Sequence, residues 1–195
     1  WLLRAPSALI ENPCAAQRNT SAYGLSPEAV HVLPNVIDLD AFDAAGNVVR
    51  GSGNEIVVAG VGTMIRLKRF DRFLRAIAAA RKRGLPVRGM LIGDGQERAA
   101  LEAHARDLGL LPNGITFAGR LNDIPAALRG ADVLMLTSDH EGFPNVLLEG
   151  MSASLPVVST AAGDAEAIVA HGVSGFVVRL DAEDALVDYL CELAA

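Results

Sequence analysis

The chain has 195 residues, 51% of them hydrophobic, and a mean hydropathy of +0.30. At about 150 residues per domain this excludes a disordered segment and predicts one well-buried domain with a short addition. Seventeen basic against 23 acidic residues leave a net charge of −6, the wrong sign for a dedicated nucleic-acid binder or for docking on an anionic membrane surface.

In chain order, residues 1–50 stand apart. A short apolar run at Leu9-Ile10 is followed by turn-formers such as Asn12-Pro13, Gly24 and Ser26-Pro27, then by a second run at Val30–Leu33. The stretch Asp43–Asn54 is rich in Gly, Asn and Ser, and its punctuation predicts a domain boundary near 46–54. From Ile56 onward two kinds of segment alternate. Apolar, β-rich runs occur at Ile56–Val61, Val87–Ile92, Ile115–Phe117, Val133–Leu136, Pro156–Ser159 and Gly175–Val178. Helix-period segments lie between and after them, at Asp71–Arg83, Glu97–Leu108, Ile124–Arg129, Asn145–Ala153, Ala165–Ala170 and Ala182–Leu193. Runs that are apolar on both faces suit strands covered on both sides. Regular β–α alternation predicts an α/β fold, a doubly wound parallel sheet with right-handed crossovers. No run is long enough to span a membrane, and Trp1–Arg4 does not read as a signal peptide. Cys14 and Cys191 lie at opposite ends, without metal-ligand spacing. They read as free thiols, which fits a reducing cytoplasm. Because residue 1 is Trp, the sequence reads as a piece of a longer chain, with its final helix cut short at Ala195.

Ligands of such sheets bind beyond the carboxyl ends of the strands, so the loops there carry the information. The richest is Ser138–Glu149, Ser-Asp-His-Glu-Gly-Phe-Pro-Asn-Val-Leu-Leu-Glu. Pro144 suits the first turn of a helix and Gly142 a tight entry, so the helix start would offer free N–H groups to an anion. Glu149 falls among Val146, Leu147, Leu148 and Met151. A carboxylate there requires a partner, and the vicinal hydroxyls of a ribose would supply one; a solvated glutamate on an amphipathic helix is the alternative. Gly62–Arg69 brings Arg66, Lys68 and Arg69 into the first strand-end loop, and Lys68 is one of two lysines in the chain. A cation there suits a diphosphate, against the alternative of a solvated helix start. Gly93-Asp94-Gly95 reads first as a structural turn. Arg120, after Gly119, is placed to frame a base or simply to be solvated. The four histidines show no ligand spacing, so no metal site is expected; His140, beside Glu141, is the one retained for the site.

Taken in order, these motifs resemble the family-four retaining glycosyltransferases of the GT-B fold. The resemblance rests on Pro34-Asn35-Val36-Ile37-Asp38 with Phe42, Val61-Gly62 with Lys68, Ile92–Gly95 and Phe117–Arg120. It continues through Glu141 and Glu149 with seven residues between them, Pro156–Thr160, Gly163, Glu166 and Gly172–Gly175. It covers essentially the whole chain. It implies that residues 1–50 are the end of an N-terminal domain plus the interdomain linker. Residues 51–195 would then be the Rossmann-like, nucleotide-sugar-binding C-terminal domain.

By that resemblance Lys68 binds the donor diphosphate, Glu141 lies against the donor sugar as the catalytic residue, and Glu149 holds the ribose. Gly142, Phe143, Asn145 and Val146 form the backbone cradle of sugar and diphosphate. Arg120 and Leu121 frame the base. The arginine that follows the glycine in the family is Thr63 here, with Arg66 as the candidate replacement. Ser154 stands where the family has glycine. The implied reaction moves a sugar from a nucleoside diphosphate donor such as a UDP- or GDP-sugar to an acceptor hydroxyl. It proceeds with retention, without cofactor or required metal. The acceptor, whether sugar, lipid-linked or small molecule, would be recognised by the other domain, and neither nucleic acid nor membrane is indicated as a partner. The alternatives are another GT-B enzyme, such as a sugar-nucleotide epimerase or a phosphorylase, or a non-catalytic nucleotide-binding module.

Overall fold

The computed structural model describes residues 9–11, 27–33, 35–44 and 55–193. Cys14, Pro34, the expected linker at 46–54 and the last two residues lie outside them. Near the start, β1 (Leu9–Glu11) pairs in parallel with β2 (Val30–Val32), and α1 covers Leu39–Ala44.

The main body is a six-stranded, all-parallel sheet. Its strands are β3 (Ile56–Val61), β4 (Val87–Ile92), β5 (Ile115–Gly119), β6 (Val133–Leu136), β7 (Val157–Thr160) and β8 (Gly175–Val178). They lie in the order β5-β4-β3-β6-β7-β8, the doubly wound order in which the direction of winding reverses between the first and fourth strands. Six helices connect or follow these strands: α2 (Phe70–Lys82), α3 (Arg98–Asp107), α4 (Ile124–Arg129), α5 (Asn145–Ser152), α6 (Ala165–Ile168) and α7 (Glu183–Leu193).

Helices flank both faces, which explains why the central strands β3 and β6 are apolar throughout. On one face α2 packs on α3 and α7, burying Phe73, Leu74, Ile77, Leu186 and Leu190 against Val58, Val87 and Leu91. Two strand glycines let α2 settle close. A Cβ on Gly89 would lie 2.8 Å from the Phe73 ring, and one on Gly60 3.0 Å from it. On the other face Val57, Ala59, Leu134 and Leu136 pack with Leu128, Leu147 and Ala165. Phe42 of α1 joins this second core at 4% exposure, and Arg129 donates twice to the Phe42 carbonyl. Helix α1 thus packs through Phe42 against α4.

The expected elements are all present, with ends that differ by a residue or two. Pro144 stands at the N-cap of α5, not within its first turn. The expected helix 165–170 stops at Ile168 because Val169 turns extended (φ −95°, ψ 115°). Strand β5 runs past Phe117 to Gly119, which pairs with Ile92 after a register shift. Ser154 adopts the left-handed region (φ 60°) that glycine enters without steric cost.

Candidate active site

The winding reverses between β3 and β6, and the loops leaving these two strands meet at their carboxyl ends. The first loop turns through a short 3-10 segment, Arg66–Lys68. The second runs from Thr137 to α5. Lys68 Nζ donates to Glu141 Oε1 at 2.6 Å, and Ser138 Oγ donates to the same oxygen at 2.6 Å. The side chains of Lys68 and Glu141 are 23% and 12% exposed, so the ion pair is partly shielded from water. The loops are also joined by backbone, with Asp139 N donating to Leu67 O at 3.0 Å. Thr137 Oγ1 donates to Lys68 O at 3.1 Å.

Glycine turns form the base of this region. Gly93 (φ 134°) lies under the first loop, where a Cβ would come within 1.9 Å of the Gly62 carbonyl oxygen. Met64 N donates to Asp94 O at 2.9 Å, holding the two turns face to face. Gly163 (φ 59°) lies against the second loop, where a Cβ would fall 2.2 Å from Gly142 O; Asp164 N donates to that oxygen at 3.1 Å. A cavity of about 380 Å³ opens between Gly62-Thr63, Gly93-Asp94 and Arg120-Leu121-Asn122. Arg120 and Leu121 are exposed at its rim.

Helix α5 begins at Asn145, whose Oδ1 accepts from Asn35 Nδ2 at 2.6 Å. Its first amides, like those of any helix, lack intrahelical acceptors. Phe143 and Val146 are half-buried around this start. Further along α5, Glu149 is half-buried, its carboxylate has no hydrogen-bond or ion-pair partner among the described residues, and it is pushed above the ordinary carboxylate pKa by burial. Burial disfavours the charged form of a carboxyl that no donor offsets.

Arg66 stands apart from the other candidates. It is exposed and lines a separate cavity of about 550 Å³, with Glu97, Asp71 and Asp139. His140 is exposed. Among the described residues no group of three or more His, Cys, Asp or Glu is placed to hold a metal ion, and no helix is long and apolar enough to cross a membrane.

One feature escaped the sequence reading. Arg69 and Arg72 both grip Asp139, two residues before Glu141. Burial raises the Asp71 carboxyl, but its hydrogen bonds from Arg69 and Arg75 outweigh this and hold it well below the usual carboxylate range. These bonds with Asp71 and Asp139 raise the Arg69 guanidinium still further above its ordinary pKa. The signal in the sequence was the charged run Arg69-x-Asp71-Arg72-x-x-Arg75 at a helix start, but its partners Asp139 and Glu183 are too distant in the chain to be inferred from spacing.

Residues 55–195 match the family described as Glycosyl transferases group 1. The chain belongs to the group 1 glycosyltransferases. It is 39% identical over 107 residues to a Vi polysaccharide biosynthesis protein of Salmonella typhi, covering 55% of this chain and 18% of that one. It is 31% identical over 138 residues to the putative glycosyltransferase EpsF of Bacillus subtilis, covering 67% and 36%. The chain therefore spans well under half the length of these relatives. Among solved structures, Anabaena HepE in complex with UDP and glucose superposes with a TM-score of 0.80 at 26% identity. That match covers 96% of this chain and 55% of HepE. The sheet is thus the Rossmann-like α/β domain of GT-B glycosyltransferases.

Proposed function

We propose that this chain is the donor-binding half of a retaining, family-four glycosyltransferase that takes a UDP-sugar. The observation that carries the reading is the junction of the two strand-end loops, where Lys68 meets Glu141, followed on α5 by the unpartnered Glu149. UDP is the favoured nucleotide because HepE is seen with UDP and glucose.

Each residue then has a task. Lys68 and the amide-rich start of α5 stabilise the diphosphate, whose charge grows as its bond to the sugar C1 breaks. They take the role that a metal fills in other transferases. Glu141 lies against the donor sugar, while the acceptor oxygen forms the new bond to C1 on the face the diphosphate leaves and passes its proton to the departing diphosphate oxygen. Glu149 accepts from the ribose hydroxyls. Gly142, Phe143, Asn145 and Val146 cradle sugar and diphosphate, and Arg120 and Leu121 border the base. With Arg66 at another cavity, Lys68 is the principal side-chain cation for the diphosphate. Residues 1–50 are the end of an acceptor-binding domain and its linker, and the enzyme works in the cytoplasm.

Calorimetric titration with UDP, GDP and ADP tests the reading. UDP should bind most tightly, and Glu149→Ala should weaken it by about 1–3 kcal/mol, the cost of losing a charged hydrogen-bond acceptor. No binding of any nucleotide would sink the proposal. Thr63, at the family arginine position, favours a second reading as a non-catalytic nucleotide-binding module. Nucleotide binding without transfer by the intact enzyme would select it.

A further inference from the structure

A buried guanidinium lies behind the loop that carries Glu141. Arg72, in the first turn of α2, is 4% exposed. Its Nη1 donates to the Thr137 carbonyl at 2.7 Å, its Nη2 to Asp139 Oδ1 at 2.9 Å, and its Nε to Glu183 Oε1 at 2.9 Å. Two of these bonds fall on the four residues, 137–140, that lead from β6 to Glu141. Strand pairing of β6 ends at Leu136. Beyond it the loop takes its course from side chains and from the neighbouring loop. Arg69 grips Asp139 at 2.8 and 3.1 Å, and Thr160 Oγ1 donates to Ser138 O at 2.6 Å.

We propose that Arg72 is a positioning residue: by bonding Thr137 and Asp139 together it sets the Glu141 carboxylate against Lys68. Glu183 neutralises the guanidinium from the far side. The proposal rests on the transferase reading for its consequence, but not for its geometry. A guanidinium presents a rigid fork of donors that reaches two acceptors in fixed directions. A lysine ammonium at the same place keeps the charge and loses the fork. A carboxylate displaced by about 1 Å from its reacting geometry can cost on the order of 100-fold in rate.

Amide hydrogen exchange on this chain reads the geometry without any substrate. Arg72→Lys and Asp139→Asn should speed exchange of the amides at 138–142 tenfold or more, with those of β4 unchanged. Ile77→Val loosens α2 without touching the loop, and should leave 138–142 within threefold of wild type. Unchanged exchange at 138–142 in both loop variants, or acceleration spread equally over β4, overturns the proposal. In the intact enzyme, Arg72→Lys should lower kcat at least tenfold with donor KM and UDP affinity within threefold. Equal losses in kcat and in UDP affinity would also overturn it. If the wild type neither binds UDP nor transfers sugar, the transferase reading fails while the exchange result still decides the positioning role.

Discussion

Glu149 is half-buried without a partner, and burial raises its pKa. A carboxyl that titrates higher in the folded chain binds protons on folding. Stability is therefore lost as pH rises from the unfolded value, about 4.3, through the folded one. Glu149→Gln should raise Tm at pH 7, with the gain vanishing below about pH 4; thermal melts across pH check this. The same variant should weaken UDP, because ribose hydroxyls bond best to the charged carboxylate. By the same sign, UDP affinity of the wild type should climb as pH rises through the Glu149 titration and then level off, and this slope should disappear in Glu149→Gln. Glu141 leads to the opposite expectation. It engages Lys68 in the free protein and so competes with a diphosphate. Glu141→Gln should abolish transfer yet tighten UDP by about 1.5- to 5-fold, the value of a modest ion pair; calorimetry decides.

Helix α1 has only six residues and relies on docking for its stability. Phe42 supplies the apolar contact and Arg129 caps its carbonyl. Phe42→Ala should cost about 3 kcal/mol in urea denaturation, as a large side chain leaves a packed core. The sequence could not place this helix against α4, because its partner Arg129 lies more than 80 residues away. The six strands of the main sheet were legible, since each is a short, largely apolar, β-rich run separated from the next by a helix-period segment. Helix ends were less so. Pro144 fits an N-cap as readily as a first turn, and nothing in Ala165–Ala170 marks where Val169 leaves the helix. For the site, the loop positions and the cation Lys68 could be read from sequence. Its contact with Glu141, the separate cavity of Arg66 and the clamp on Asp139 could not, because each depends on which strands become neighbours.

At the scale of the whole molecule, the reversal between β3 and β6 brings the two candidate loops together, and the proposed division of labour predicts that these 195 residues bind UDP but transfer no sugar. A radiolabelled-donor assay beside calorimetry tests that, and transfer by the isolated chain would refute it. The site also divides into two materials. Its floor is peptide backbone at Gly93 and Gly163, where a single methyl group would strike a carbonyl. Its rim, Thr63, Arg120, Leu121 and Asn122, is exposed side chain. Gly93→Ala should therefore collapse the fold. Substitutions at Thr63 or Leu121 should change nucleotide preference within about 0.5 kcal/mol of wild-type stability, as denaturation paired with nucleotide titration would reveal. Such a domain can drift toward new donors over evolutionary time, or under directed selection, without first rebuilding its foundations.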